Sequence, residues 1–160
     1  HYLDLVERIR DAVPDIALTT DIIVGFPGEN EEDFEDTLDL VRRVRFDAAY
    51  TFIYSPRKGT PAEKWEQTEP PETISKRFQR LLEIQTDIST QLAKRYEGRT
   101  VEVLVEGPSK SNPDMQSGRT RTGRLVNFKA DTDLTGQMAD VNIIRAGAFW
   151  LEGKEGKRRG

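Results

Sequence analysis

The chain contains no cysteine, and His1 is its only histidine. Disulfides, thiol nucleophiles and cysteine- or histidine-held zinc or iron–sulfur centres are therefore excluded for these residues by themselves. No apolar run approaches the roughly 20 residues needed to cross a bilayer. Nor is there a basic start followed by a short greasy stretch and a small-residue cleavage site. These absences lead us to expect a cytoplasmic protein with no membrane partner. The phosphate-loop pattern G-x-x-x-x-G-K-[ST] is also missing, which argues against ATP-type phosphate binding. Internal repeats and low-complexity tracts are not evident.

What is present is enough apolar material for a core, 36% of 160 residues, beneath an unusually charged surface, 32%. The length suits one ordinary domain, or a piece of a larger fold followed by a small module. The sequence opens on His1 inside a helical pattern and so reads as a fragment with its upstream part missing. Residues 1 to 95 carry 13 basic and 19 acidic side chains, whereas residues 96 to 160 carry 11 and 9. The second part is thus the basic one, and its cations cluster, the arrangement that suits a polyanionic partner.

Leu3, Val6, Ile9, Ala12 and Val13 recur at helical spacing until Pro14, predicting a helix over 2–13. Ile16 to Phe26 is an almost continuous β-branched and apolar run, which predicts a strand covered on both faces and closed by the Pro27-Gly28 turn. Asn30 is placed to cap the next helix, with Glu31, Glu32 and Asp33 in its first turn and Phe34, Leu38, Val41 and Val44 as its buried stripe. A second strand is expected over 48–54. The order helix, strand, helix, strand implies parallel strands whose functional loops leave their C-terminal ends. After an irregular polar connection over 62–71, a long helix is expected from about 72 to 95. Beyond Gly98 the period becomes two, and strand-like runs at 101–105, 123–128, 137–145 and 149–152 suggest a small five-stranded barrel of the OB type. The expected class is α/β followed by small all-β. The expected boundaries are 1–95, 96–153 and a basic tail at 154–160.

Three segments carry candidate chemistry. In Thr20 to Glu29, an acid such as Asp21 can accept hydrogen bonds from a ribose. Ile23, two positions on, faces the same side and can cover a flat base, and Gly25 and Gly28 permit close backbone approach. A purely structural strand with a Pro-Gly turn is the competing reading. In Tyr50 to Pro61, the alternating aromatics read more readily as core than as binding surface. Arg57 and Lys58 form either an anion-facing loop or a solvated turn. In the barrel, Lys110, Arg119, Arg121, Arg124, Asn127 and Phe128 offer phosphate grips and a stacking ring, with Arg119 and Arg121 projecting to one face of an extended segment. A merely solvated basic face is the alternative. Lys154, Lys157, Arg158 and Arg159 would add non-specific attraction to RNA.

The segments TDIIVGFPGE, Thr20 to Glu29, and YTFIYSPRKGTP, Tyr50 to Pro61, closely resemble the radical S-adenosylmethionine methylthiotransferases. The long helix followed by GRTRTGRLVNF, Gly118 to Phe128, resembles the RNA-binding TRAM barrel that closes those enzymes. Val126 to Phe128 and the SPRKGTP loop are more similar to the branch modifying isopentenylated adenosine in tRNA than to the branch acting on a ribosomal protein.

The resemblance implies the last β/α units of a partial TIM-type barrel, then a long helix and an OB-like TRAM barrel. It implies S-adenosylmethionine and two [4Fe-4S] clusters as cofactors of the full-length protein. In that chemistry one electron breaks the sulfonium bond, and sulfur and then methyl are added at C2 of the adenine. On the match, Asp21 and Ile23 would contact the cofactor's ribose and adenine, Gly25 would give clearance, and the backbone near Tyr54 would pass the adenine. The partners implied are the tRNA anticodon stem-loop and an electron-donor protein. The family holds its clusters with cysteines, so this chain alone is expected to bind tRNA without catalysing. A stand-alone RNA-binding module is the alternative from another class.

Overall fold

The computed structural model describes residues 1–156. Two compact units are present, His1–Ile88 and one beginning at Ser89. The element order is α1 (Tyr2–Ala12), β1 (Thr19–Val24), α2 (Glu31–Val44), β2 (Ala48–Ile53), a 3-10 turn at Pro61–Lys64, α3 (Pro71–Lys94), then β3 (Thr100–Pro108), β4 (Gln116–Thr120), β5 (Leu125–Lys129), β6 (Met138–Gly147) and β7 (Trp150–Glu155). The expected class, α/β followed by a small closed barrel, is what the chain adopts.

In the first unit β1 and β2 pair in parallel from Thr19 opposite Ala48 to Val24 opposite Ile53, and Tyr54 extends the ladder by donating to Val24 O at 2.9 Å. The α2 helix starts as its sequence dictates. Asn30 Oδ1 accepts from the Glu32 and Asp33 amides at 2.8 and 3.1 Å, while Asp33 Oδ2 accepts from the Asn30 amide at 3.0 Å. This reciprocal cap satisfies donors that the helix itself leaves unpaired. Phe34, Leu38, Val41 and Val44 are fully buried, each stabilising by roughly 1.5–3 kcal/mol. Ile74, Leu81 and Ile88 join that core from one stripe of α3, together with Val6 and Val24.

Two expectations about this sheet are corrected. β1 is not covered on both faces, since its burial alternates and Ile23 is 51% exposed. The strand aromatics are not core either, with Tyr50 at 65% and Phe52 at 53% exposed. The physical reason is the same for both. With two strands, the helices cover one face, and the register that sets Asp21 opposite Tyr50 and Ile23 opposite Phe52 leaves all four on the other.

The second unit is a closed barrel in the order β3-β4-β5-β7-β6, antiparallel except for the β5–β7 pair. Val103, Val105, Val126, Phe128, Val141, Ile143 and Leu151 fill it. Glycine is required where strands approach most closely: a Cβ on Gly118 would lie 2.3 Å from Leu104 O, and one on Gly153 2.3 Å from Asn142 O. Gly107 sits where the β3 register shifts against β4, a bulge that bends the strand around the barrel. No helix among the described residues is long and apolar enough to cross a membrane.

Candidate functional site

The open face of β1 and β2 becomes one wall of a groove of about 560 Å³, to which Asp21, Ile23, Phe52, Tyr54 and Arg57 contribute. Three of the four residues expected to meet a nucleoside, Asp21, Ile23 and Tyr54, are thus brought together. Asp21 supplies acceptor oxygens, Ile23 and Phe52 supply apolar cover, and Arg57 supplies a permanent cation. Lys58 is exposed and does not line the groove.

Gly25 is not part of the lining. Its φ of +76° suits glycine, and a Cβ there would point at α3, 2.6 Å from Ile74 Cγ2. Both of its peptide groups are held. Its amide donates to Glu29 Oε1 at 2.9 Å, and its carbonyl accepts from Gln67 Nε2 at 2.8 Å. This turn swings Phe26 into the groove edge-on to Tyr54 and Trp65, with ring centroids 5.1 and 5.6 Å apart. Tyr54 Oη donates to Ala62 O at 3.0 Å, strapping the loop that follows β2.

Behind the turn lies a residue that the sequence reading passed over. Arg77 of α3, with a side chain only 3% exposed, donates to Glu31 Oε2 at 2.8 Å, Glu29 O at 3.1 Å and Glu69 Oε1 at 3.2 Å. Burial disfavours its charge, but the hydrogen bonds to Glu31 and Glu69 outweigh that and raise its pKa. Glu31 is held below the usual carboxylate range by hydrogen bonds from Arg80 first and Arg77 second. The available signal was a charge on the apolar stripe, three residues after Ile74 and four before Leu81.

On the barrel, Lys110, Arg119 and Asn127 share a groove of about 390 Å³ with Ser109, Ser111 and Ser117. Arg119 lies 3.7 Å from Glu106 and donates to Gly123 O at 3.1 Å. Arg121 begins the turn after β4 and donates to Glu102 at 2.8 Å, so both arginines are charge-compensated. Arg124 instead stacks on Tyr96, 5.4 Å from the ring centroid. Phe128 is corrected outright: it is 0% exposed in the barrel core and presents no ring face to a base. Lys154 belongs to β7, and the remaining tail cations, Lys157, Arg158 and Arg159, lie outside the described residues.

This barrel coincides with a match of residues 94–154 to the family described as the TRAM domain. The match takes in almost all of the second unit. Similarity to characterised proteins extends well beyond it. The chain is 54% identical over 154 residues to a tRNA-2-methylthio-N(6)-dimethylallyladenosine synthase of Clostridium botulinum, covering 96% of this chain and 34% of that protein. It is 55% identical over 152 residues to the synthase of that name from Acetivibrio thermocellus, covering 95% and 32%. For Bacillus licheniformis the values are 53% over 153 residues, 96% and 30%. The chain therefore spans about a third of these relatives' length, matching their C-terminal region. Because the similarity to these relatives takes in the α/β unit as well as the barrel, a stand-alone RNA-binding module is not favoured.

Proposed function

We propose that this chain is the C-terminal portion of an enzyme that adds a methylthio group to C2 of N6-isopentenyladenosine beside the tRNA anticodon. The α/β unit forms one wall of the S-adenosylmethionine site, and the TRAM domain grips the tRNA. The observation that carries the reading is the groove joining Asp21, Ile23 and Tyr54, in a chain whose relatives bear the synthase name across both units.

The residues present fit the nucleoside cofactor. Asp21 faces the groove as an acceptor for ribose hydroxyls, Ile23 and Phe52, side by side on one wall, can cover one face of a flat ring, and Arg57 can pair with a carboxylate. When bound, S-adenosylmethionine supplies the sulfonium whose cleavage starts the radical chemistry and the methyl that ends it. The chain's own part is to bind, orient and exclude water. The same residues do not fit an iron–sulfur cluster. Cysteine is absent, and no metal-holding cluster of His, Cys, Asp and Glu occurs among the described residues. Cysteine cluster ligands therefore belong to other parts of the proposed enzyme.

The test is nucleoside mass spectrometry of isopentenyladenosine-containing tRNA after incubation with full-length protein carrying reconstituted clusters. The expected result is a methylthio product, and the expected effect of Asp21→Ala is a raised KM for S-adenosylmethionine. Absence of product with loaded wild-type protein would overturn the proposal.

A further inference from the structure

We infer that tRNA crosses the outer face of β5 and β7, where Lys129 and Lys154 form a phosphate-binding pair in addition to the groove around Lys110 and Arg119. This rests on the proposed tRNA-binding role of the TRAM domain and names a surface for it.

Strand register makes the pair. β5 and β7 are parallel, with Asn127 opposite Glu152, Phe128 opposite Gly153 and Lys129 opposite Lys154. Phe128 and Gly153 are buried, so the lysines one position on turn outward, and both are exposed. Neighbouring strands lie about 4.8 Å apart, which puts both ammonium groups within reach of one phosphate or of two successive ones.

Like charges directly opposite each other on a sheet repel. Three outward arginines of this barrel are compensated, Arg119 by Glu106, Arg121 by Glu102 and Arg145 by Glu152 at 2.7 Å. Among the described residues neither Lys129 nor Lys154 is in an ion pair; of the acids in the two adjoining rows, Glu152 is held by Arg145 and Glu102 by Arg121, while Asp140 stands diagonal to Lys154 on the neighbouring strand. The next residue across, Asn142 opposite Lys154, accepts from Thr100 Oγ1 at 2.5 Å through Oδ1, leaving its NH₂ to donate on the same row. One row of the sheet therefore sets two lysines without an ion pair beside an amide donor. A polyanion relieves that repulsion, whereas an apolar or basic partner does not. Asn127 belongs to both the neighbouring groove and the Lys129 strand, so one RNA backbone can continue from one site to the other.

The experiment measures binding of unmodified tRNA to full-length protein by fluorescence anisotropy across a salt series. The variants are Lys129→Gln with Lys154→Gln, Lys129→Arg with Lys154→Arg, and the control Lys64→Gln with Lys76→Gln, which removes the same charge from the other unit. Each phosphate contact contributes about 0.7–0.9 to the slope of log K against log salt. The barrel double Gln variant should therefore flatten the slope by about 1.4–1.8. Between 50 and 200 mM salt, wild type then loses roughly 7- to 12-fold more affinity than the variant does. The arginine variant should keep the wild-type slope, and the control should too. Tight wild-type binding with an unchanged slope in the barrel glutamine variant overturns the inference and leaves the broader reading intact. An equal flattening in the control overturns it as well, reducing it to general charge. No wild-type binding overturns both.

Discussion

Replacing Arg77 by Met tests whether one buried cation organises the groove-forming turn. The guanidinium touches Glu29, Glu31 and Glu69, whose side chains are 12%, 54% and 23% exposed. Glu31 retains Arg80 and water, so its share of the loss is small. Glu69 is left mostly shielded with its partner gone, and the Glu29 carbonyl loses a charged donor. Breaking a buried pair from one side costs about 3–5 kcal/mol, and the partial exposure here points to the low end, about 3 kcal/mol. For a unit of this size each kcal/mol shifts Tm by roughly 4–8 °C, so a drop of about 12–24 °C is expected by circular dichroism at pH 7. The pH dependence has a definite sign. Glu31's pKa in the folded state lies below its ordinary 4.5, so the stability it contributes is present above that value and is lost as pH falls through the lower folded value. Arg80 supplies the larger part of that lowering and remains in the variant, so the gap between wild type and variant should narrow only slightly below about pH 4.5. A Tm drop of under about 3 °C at pH 7 would refute the reasoning.

Gly25→Ala should cost about 1–3 kcal/mol for its positive φ alone, with more from the 2.6 Å approach to Ile74. Pairing it with Ile74→Ala should not restore the turn, as urea titration would report. Phe128→Ala should lose about 3–5 kcal/mol through its cavity, and any fall in tRNA affinity should track the unfolded fraction measured in parallel. Phe52→Ala, on the exposed groove wall, should change stability by no more than about 0.5 kcal/mol yet raise the KM for S-adenosylmethionine in the full-length enzyme. Unchanged kinetics there would remove Phe52 from the site.

The elements with their own periodicity were legible in the chain. Helix α2 announced its cap, its acidic first turn and its buried stripe, and all three are present. Strand β4 was not visible as a strand-like run, because Gln116-Ser-Gly-Arg-Thr has no apolar alternation. Its inward positions are Gly118, kept small by the Leu104 carbonyl, and the polar Thr120, and it is a strand because β3 and β5 pair with it on both sides. Tyr50 and Phe52 signalled a strand, but alternation says which residues share a face and not what covers it. Phe128, expected as a stacking ring, is core instead, because it shares the inward parity of Val126 and that local pattern outweighs its place beside a basic motif. Of the nucleoside candidates, Asp21, Ile23 and Tyr54 converge, whereas Phe26 and Trp65 became visible only once the loops closed on each other.

The pairing of β7 with both β5 and β6 has a consequence for synthesis. While the nascent polypeptide is emerging, everything needed for the α/β unit is available early, but the barrel stays an open ribbon with two bare edges until residue 155 is free. A nonsense codon before Trp150 would thus leave a sticky, unsealed sheet that invites aggregation, although it would remove only a short stretch of the domain.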